Sequence, residues 1–244
     1  MSTKYKFETS IPSYLCDEDD KLFEWAAVRM CQEVSEYHAN SLNVGFASII
    51  SQNITWVIVR SYYEILRRPQ AFEPVTLYTW SRGNDGLFAY RDYTMYAADG
   101  ELLLRGTSYW VIMDYVQRRA VRLKDHIQAY TPVVEEATDH STLSRIVLPS
   151  FTDDDIVMKL KARYSMIDHT RHVNNSEYIK WVFDAAHEKG FDADSRFSVE
   201  LNFQHETKPG DNVNLYLQQT DYGFISQIIN SIGLSAAARI THID

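Results

Sequence analysis

The chain has 244 residues, 45% of them hydrophobic and 13% aromatic, enough to bury one large core or two cores in units of about 100 to 120 residues. Its net charge of −9 argues against general binding to nucleic acid or anionic lipid, both of which need a positive surface. The sequence has no run of 18 or more apolar residues, and Met1 to Ser10 lack an apolar signal-peptide core, so neither a membrane span nor a secretory signal is expected and the expected location is cytoplasmic.

Residues Tyr5 to Ile11 alternate as a short strand that Pro12 ends. Asp17, Glu18, Asp19 and Asp20 then place negative charge at a helix start. Leu22, Trp25, Ala26, Met30, Val34 and Tyr37 recur at helical spacing, which predicts a helix from Lys21 to Ala39. Within it, Cys31 reads as a small buried thiol. Neither it nor Cys16 belongs to a disulfide or metal-binding spacing, so no metal and no cofactor are expected. A loop is predicted from Asn40 to Asn53. Strands follow over Ile54 to Leu66, Val75 to Trp80, Gly86 to Tyr96 and Glu101 to Asp114, the last two separated by an Asp99-Gly100 hairpin signal.

Two prolines, several acids and weak periodicity mark Tyr130 to Asp155 as a linker. Beyond it the sequence predicts a strand from Ile156 to Met166 or Ile167 and a helix from Asn175 to Lys189, closed by Gly190. Strands then read over Phe197 to Thr207, Val213 to Thr220, Gly223 to Ser231 and Ser235 to Ile243.

Strand, helix and four strands therefore occur twice. Residue identities align Val59 to Pro69 with Val199 to Pro209 at an offset of 140 (199 − 59), which places Leu66 against Glu206. They also align Arg105-Gly-Thr107 with Arg239-Ile-Thr241 at an offset of 134 (239 − 105). The expected fold class is α+β, with each long helix buried on a curved antiparallel sheet and the two sheets joined edge to edge. The expected division is an N-terminal unit over 1–129, a linker over 130–155 and a C-terminal unit over 156–244.

Polar chemistry concentrates from Ile167 to Trp181. Asp168, Thr170 and His172 stand at alternate positions, the spacing that aims three side chains to one side of an extended segment. Asn174 or Asn175 is placed to cap the helix that follows. A helix start presents unpaired N–H groups and partial positive charge, which suits the oxyanion of acyl transfer. The same residues could equally do no more than cap a core helix, with His172 tucked beneath it. Two basic clusters, Arg67-Arg68 and Arg118, Arg119, Arg122 and Lys124, could dock an acidic partner, or be solvated strand ends.

With the repeat and the pattern Asp168-x-Thr170-x-His172-Val-Asn-Asn-x-x-Tyr178-x-x-Trp181 in hand, the chain resembles the acyl-acyl carrier protein thioesterases of the double hotdog type. Further support comes from Gln32-Glu33 with His38, from Trp56-Val-Ile-Val-Arg60 leading to Glu64 and Pro69, and from Thr107-Ser-Tyr-Trp110-Val-Ile-Met113. The resemblance implies a tandem hotdog, with an acyl-chain pocket in the first unit and catalysis in the second. It carries an Asp-x-Asn-x-His motif onto Asp168 and His172 and a following-strand Glu onto Glu206. Thr170 stands where that family has Asn, and Thr207 where it often has Cys.

The implied activity is hydrolysis of fatty acyl-acyl carrier protein to free fatty acid. Water would be activated by His172 and Glu206, assisted by Asp168 and Thr170, with helix-start amides of Val173, Asn174 and Asn175 holding the oxyanion. A competing mechanism makes Asp168 the nucleophile. Trp25, Phe46, Trp56 and Trp110 are candidates for lining the acyl tunnel, with core packing as the plainer role of each. Alternatives are an acyl-CoA thioesterase of the same fold, or a non-catalytic acyl-binding protein. A Glu206 paired with Lys208 at a strand end would carry no chemistry. Either a monomer or a homodimer is compatible with two fused units.

Overall fold

The computed structural model describes residues 4–123, 132–140 and 142–243. Lys124 of the basic run, and Tyr130, Thr131 and Ser141 of the expected linker, lie outside them.

The first half folds as β1 (Tyr5–Ser10), α1 (Glu24–Ser41), α2 (Phe46–Ile49), β2 (Ile54–Ile65), β3 (Pro74–Asn84), β4 (Ala89–Ala97), β5 (Leu102–Asp114) and β6 (Arg119–Val121). The second folds as β7 (Ile156–Lys161), α3 (Asn175–Glu188), β8 (Phe197–Phe203), β9 (Asn212–Thr220), β10 (Gly223–Ile229) and β11 (Leu234–His242). Helix α2 occupies part of the loop predicted from Asn40 to Asn53; four residues are too few to show a helical period. Strand β7 ends at Lys161 rather than Met166, because the chain turns through a short 3-10 segment, Tyr164–Met166, whose apolar residues imitate continued alternation. Strand β8 ends at Phe203 rather than Thr207: the Gln204 N–H turns to the Ser235 carbonyl at 2.8 Å and the chain leaves the sheet.

All the strands join one sheet in the order β1-β3-β4-β5-β2-β8-β11-β10-β9-β7, with β6 hydrogen-bonded to β5. The halves meet where β2 runs antiparallel to β8, with Tyr62 opposite Glu200. Alternation along β2 sends Tyr63 into the main core and Tyr62 to the opposite face. That core takes Ala26, Cys31 and Val34 from α1 and Tyr178, Val182 and Ala186 from α3, so both helices lie against one face as a single apolar body. Leu143 packs on the other face against Tyr62 and Tyr109, and Ile146, Leu148 and Phe151 cover Ile225 and Ala237 there. Both cysteines are free; Cys31 is buried, and burial pushes its thiol pKa upward.

Hydrogen bonding corrects the repeat's register. Ile11 N–H to Glu73 O and Leu22 N–H to Pro69 O recur as Ala162 N–H to Asp211 O and Val173 N–H to Thr207 O. The offset before the helices is thus 151 (162 − 11), and at the start of the third strand of each half it is 138 (211 − 73). The identity-based alignment is therefore slipped by two residues: Arg68, not Leu66, stands at the position of Glu206. Arg105 likewise corresponds to Ala237 rather than Arg239, since Glu64 pairs with Arg105 as Asn202 pairs with Ala237. A slip of two keeps every side chain on its proper face, so the hydrophobic pattern alone does not reveal it.

Candidate active site

The segment leaving β7 is a closed turn, not the extended run its alternation suggested. Ile167 and Val173 bridge across it, Asp168 N–H bonds to His172 O at 3.0 Å, and Arg171 N–H bonds back to Asp168 O at 3.0 Å. Arg171 takes a left-handed φ of 67° to close the loop. Asp168 Oδ1 accepts from both the Thr170 N–H at 2.8 Å and the Thr170 hydroxyl at 2.6 Å, the turn that short polar side chains favour. Asp168, Thr170 and His172 still converge, but by this turn rather than by strand periodicity. His172 Nδ1 lies 3.5 Å from Thr170 Oγ1, and its Nε2 lies 2.9 Å from Glu206 Oε2.

Glu206 reaches His172 because its neighbour is pinned. Thr207 is fully buried; its carbonyl accepts the Val173 N–H at 2.9 Å, and its hydroxyl accepts from Tyr178 at 2.8 Å and from Asn230 Nδ2 at 3.2 Å. The same hydroxyl lies 2.9 Å from Ser235 Oγ. Thr207 thus ties the end of β8 to the start of α3. Glu206 pairs with the guanidinium of Arg118 rather than with Lys208, and His172 Nε2 lies against the same carboxylate oxygen.

Asn174 is the N-cap of α3, its Oδ1 accepting the Ser176 N–H at 2.9 Å. Of the three amides assigned to the oxyanion, two are already committed. Val173 N–H bonds to Thr207 O and Asn174 N–H bonds to Met166 O, both at 2.9 Å. Asn175, the first residue of α3, lines the cavity, and its N–H, a helix-start donor, is the remaining candidate of the three.

That cavity has a volume of about 660 Å³, within the ordinary range of ligand pockets. Asp168, Thr170, His172, Val173, Asn174, Asn175 and Glu206 line it from the second half; Phe46, Trp56 and Trp110 line it from the first. Trp25 does not line it. Its ring stacks on Phe23 at 5.7 Å and carries the Lys180 ammonium 5.4 Å from its centroid, at the far, N-terminal end of α1. A smaller cavity of about 70 Å³ shares Trp56, Trp110, Gln32 and Glu36 with the large one and reaches inward to Ser35 and Arg91.

Arg118 is the member that sequence reading missed, visible there only as one of several basic residues. It sits in the turn between β5 and β6 with a φ of 55° and crosses from the first half to the Glu206 carboxylate of the second. Burial, and next the Arg118 charge, hold the His172 imidazole below its ordinary pKa, opposed by Asp168. The ring is therefore neutral near pH 7. The other basic cluster is consumed: Arg67 pairs with Glu73 and Glu101, and Arg68 is buried on Asp17, Glu24 and Asp194. Among the described residues no His, Cys, Asp and Glu side chains gather as metal ligands, and no helix is long and apolar enough to cross a membrane.

Two family models match the chain: the acyl-ACP thioesterase N-terminal domain over residues 2–131 and the acyl-ACP thioesterase C-terminal domain over 150–242. The chain belongs to the acyl-ACP thioesterase family. Among curated proteins it is 25% identical over 229 residues to oleoyl-acyl carrier protein thioesterase 2, chloroplastic, of Arabidopsis thaliana, covering 87% of this chain and 62% of that one. It is 28% identical over 194 residues to palmitoyl-acyl carrier protein thioesterase, chloroplastic, of Gossypium hirsutum, covering 72% and 46%. The chain thus spans about three fifths or less of the curated relatives' lengths.

Two solved structures share the tandem hotdog fold. A putative oleoyl thioesterase from Lactobacillus plantarum superposes with a TM-score of 0.82 at 22% identity, covering 100% of this chain and 98% of that one. The 12:0-ACP thioesterase from Umbellularia californica gives 0.81 at 19% identity, covering 98% and 96%. The expected architecture, two helices on two edge-joined antiparallel sheets, is therefore the fold of this acyl-ACP thioesterase family member.

Proposed function

We propose that this chain hydrolyses the thioester of a fatty acyl group carried on acyl carrier protein and releases the free acid. The observation that carries the reading is the 2.9 Å contact between His172 Nε2 and Glu206 Oε2 on the wall of a 660 Å³ cavity built from both halves. Family membership supplies the substrate class. The first half offers the acyl chain its aromatic wall, Phe46, Trp56 and Trp110, and the second half carries the chemistry.

In this mechanism a water attacks the thioester carbonyl carbon and loses its proton to Glu206, whose Oε2 lies 2.9 Å from His172 Nε2. The developing oxyanion takes the Asn175 N–H. Collapse breaks the C–S bond, and the proton passes to the departing sulfur. Asp168 accepts the Thr170 hydroxyl and so fixes Thr170 beside His172 Nδ1, 3.5 Å away. With Oδ1 already accepting two hydrogen bonds, Asp168 is better suited to orienting than to attack, so the direct-water route is preferred over an acyl-Asp168 anhydride. A single turnover in heavy-oxygen water is expected to label the fatty acid alone; label in Asp168 would reverse this preference.

Initial rates on matched acyl-carrier-protein and acyl-CoA substrates test the partner, with the carrier-linked substrate expected to turn over faster. A clear preference for CoA would replace the carrier protein by CoA, and no turnover of either would leave an acyl-binding protein. The rate should also fall as pH drops below about 6.5, because His172 titrates beneath the ordinary imidazole value and the reaction needs it neutral. An acid limb above pH 7 would contradict this assignment.

A further inference from the structure

We propose that Arg118, contributed by the opposite half of the molecule, is a positioning residue that fixes the Glu206 carboxylate against His172. The inference rests on the hydrolase reading above and concerns the same site.

Three observations carry it. The guanidinium of Arg118 pairs with Glu206 Oε2, the oxygen that also lies 2.9 Å from His172 Nε2. The Arg118 backbone is held in a left-handed conformation, φ 55°, that a side chain of this kind rarely adopts and that glycine would take more readily. The turn enforcing it is well tied: Arg118 N–H bonds to Asp114 O at 2.9 Å, and Asp114 Oδ1 accepts the Val116 and Gln117 N–H groups at 2.9 and 2.7 Å. The Arg118 side chain is 40% exposed, and the bonded turn directs its guanidinium to the carboxylate of Glu206.

The chemistry follows from the carboxylate's capacity. Its four lone-pair sites leave room for a water even with Arg118 paired to Oε2 and His172 Nε2 2.9 Å from the same oxygen. Glu206 stands just past the end of β8, outside the sheet's ladder, so its backbone alone leaves the side chain free to rotate. A planar guanidinium limits that freedom, and its charge opposes a second proton on the imidazole. The other charges around His172 are Asp168 on its own turn and Lys208 beyond Glu206; α1 brings Arg29, Glu33 and Glu36 to the cavity, and the loops bring His169 and His205. Arg29 pairs with Glu177, and Glu36 bonds to Asn40 and the Phe46 N–H, which leaves Arg118 as the cation seated on the reacting pair.

The test is a kinetic comparison of Arg118→Ala, Arg118→Lys, His172→Ala, Glu206→Gln and the double variant Arg118→Ala/Glu206→Gln on one acyl-carrier-protein substrate across pH. Arg118→Ala is expected to lower kcat by roughly tenfold to a hundredfold with little change in KM, as a misplaced catalytic group does. It should also move the acid limb of the pH profile upward, because a positive charge opposing imidazole protonation is gone. Arg118→Lys should retain the position of that limb and recover part of kcat. Adding Arg118→Ala to Glu206→Gln should cost little more than Glu206→Gln alone. An Arg118→Ala enzyme with unaltered kcat and an unmoved acid limb overturns the inference while His172→Ala and Glu206→Gln remain inactive. If those two keep the parent rate, the hydrolase reading of the site has failed and the inference falls with it.

Discussion

Replacing His172 by alanine is expected to lower kcat by about 10²- to 10⁴-fold, the range in which a positioned proton-transfer group contributes. The fold should survive. Among the described residues the imidazole makes no hydrogen bond to backbone, and the turn is closed by main-chain bonds between Asp168, Arg171 and His172 and by Thr170 on Asp168. Steady-state kinetics on a carrier-linked substrate, with circular dichroism and a thermal melt of the same sample, separate the two effects. A variant within twofold of the parent rate would remove His172 from the mechanism.

The largest expected loss of stability lies elsewhere, at Arg68. Its side chain is 7% exposed and is held by Asp17, by Asp194 at 3.0 Å and by the Ala193 carbonyl at 3.2 Å, with the 2% exposed Glu24 carboxylate 3.7 Å away. Burial alone would push the Asp17 carboxyl up, but the hydrogen bonds from Arg68 and the Lys21 amide outweigh it and leave Asp17 below its ordinary value. Arg68→Met removes the cation between the two more buried carboxylates, leaving Glu24 with His187 and Asp17 with its backbone donors, a loss of up to about 3–5 kcal/mol for a buried pair. Half-exposed Asp194 adds little to this. At this chain length that predicts a melting temperature lower by roughly 10 °C. Removing Asp17 as well should recover part of the loss, since fewer uncompensated charges remain. A melt within 2 °C of the parent, measured at low salt, would show that the cluster is solvated and weak.

Much of the architecture was readable because periodicity survives where packing is regular. Tyr62 and Tyr63 point to opposite faces of β2 as alternation requires, and the α3 stripe of Tyr178, Val182 and Ala186 reaches the core as helical spacing requires. Reading was poorer where the backbone departs from a period. Asp168, Thr170 and His172 converge, but through a turn whose side-chain hydrogen bonding imitates strand alternation on paper. The two-residue slip between halves was invisible because it conserves the inward and outward faces. Arg118 could not be singled out at all: its importance arises from a left-handed turn and from a partner 88 positions away (206 − 118), neither of which leaves a local mark in composition. Of the four aromatics named for the pocket, Phe46, Trp56 and Trp110 reach it, whereas Trp25 faces Phe23 and Lys180.

The seam between β2 and β8 also bears on how the molecule behaves at high concentration. Because each half covers the other's innermost border, the free edges of the sheet among the described residues are the end strands β1 and β7 and the three-residue β6 beside β5. The two end strands are short and carry exposed charge, with Lys6 paired to Glu8 on one and Lys159 and Lys161 on the other. Brief, charged borders resist strand-by-strand polymerisation. A chain that supplies its own neighbour in this way can concentrate in solution without its sheet recruiting a stranger.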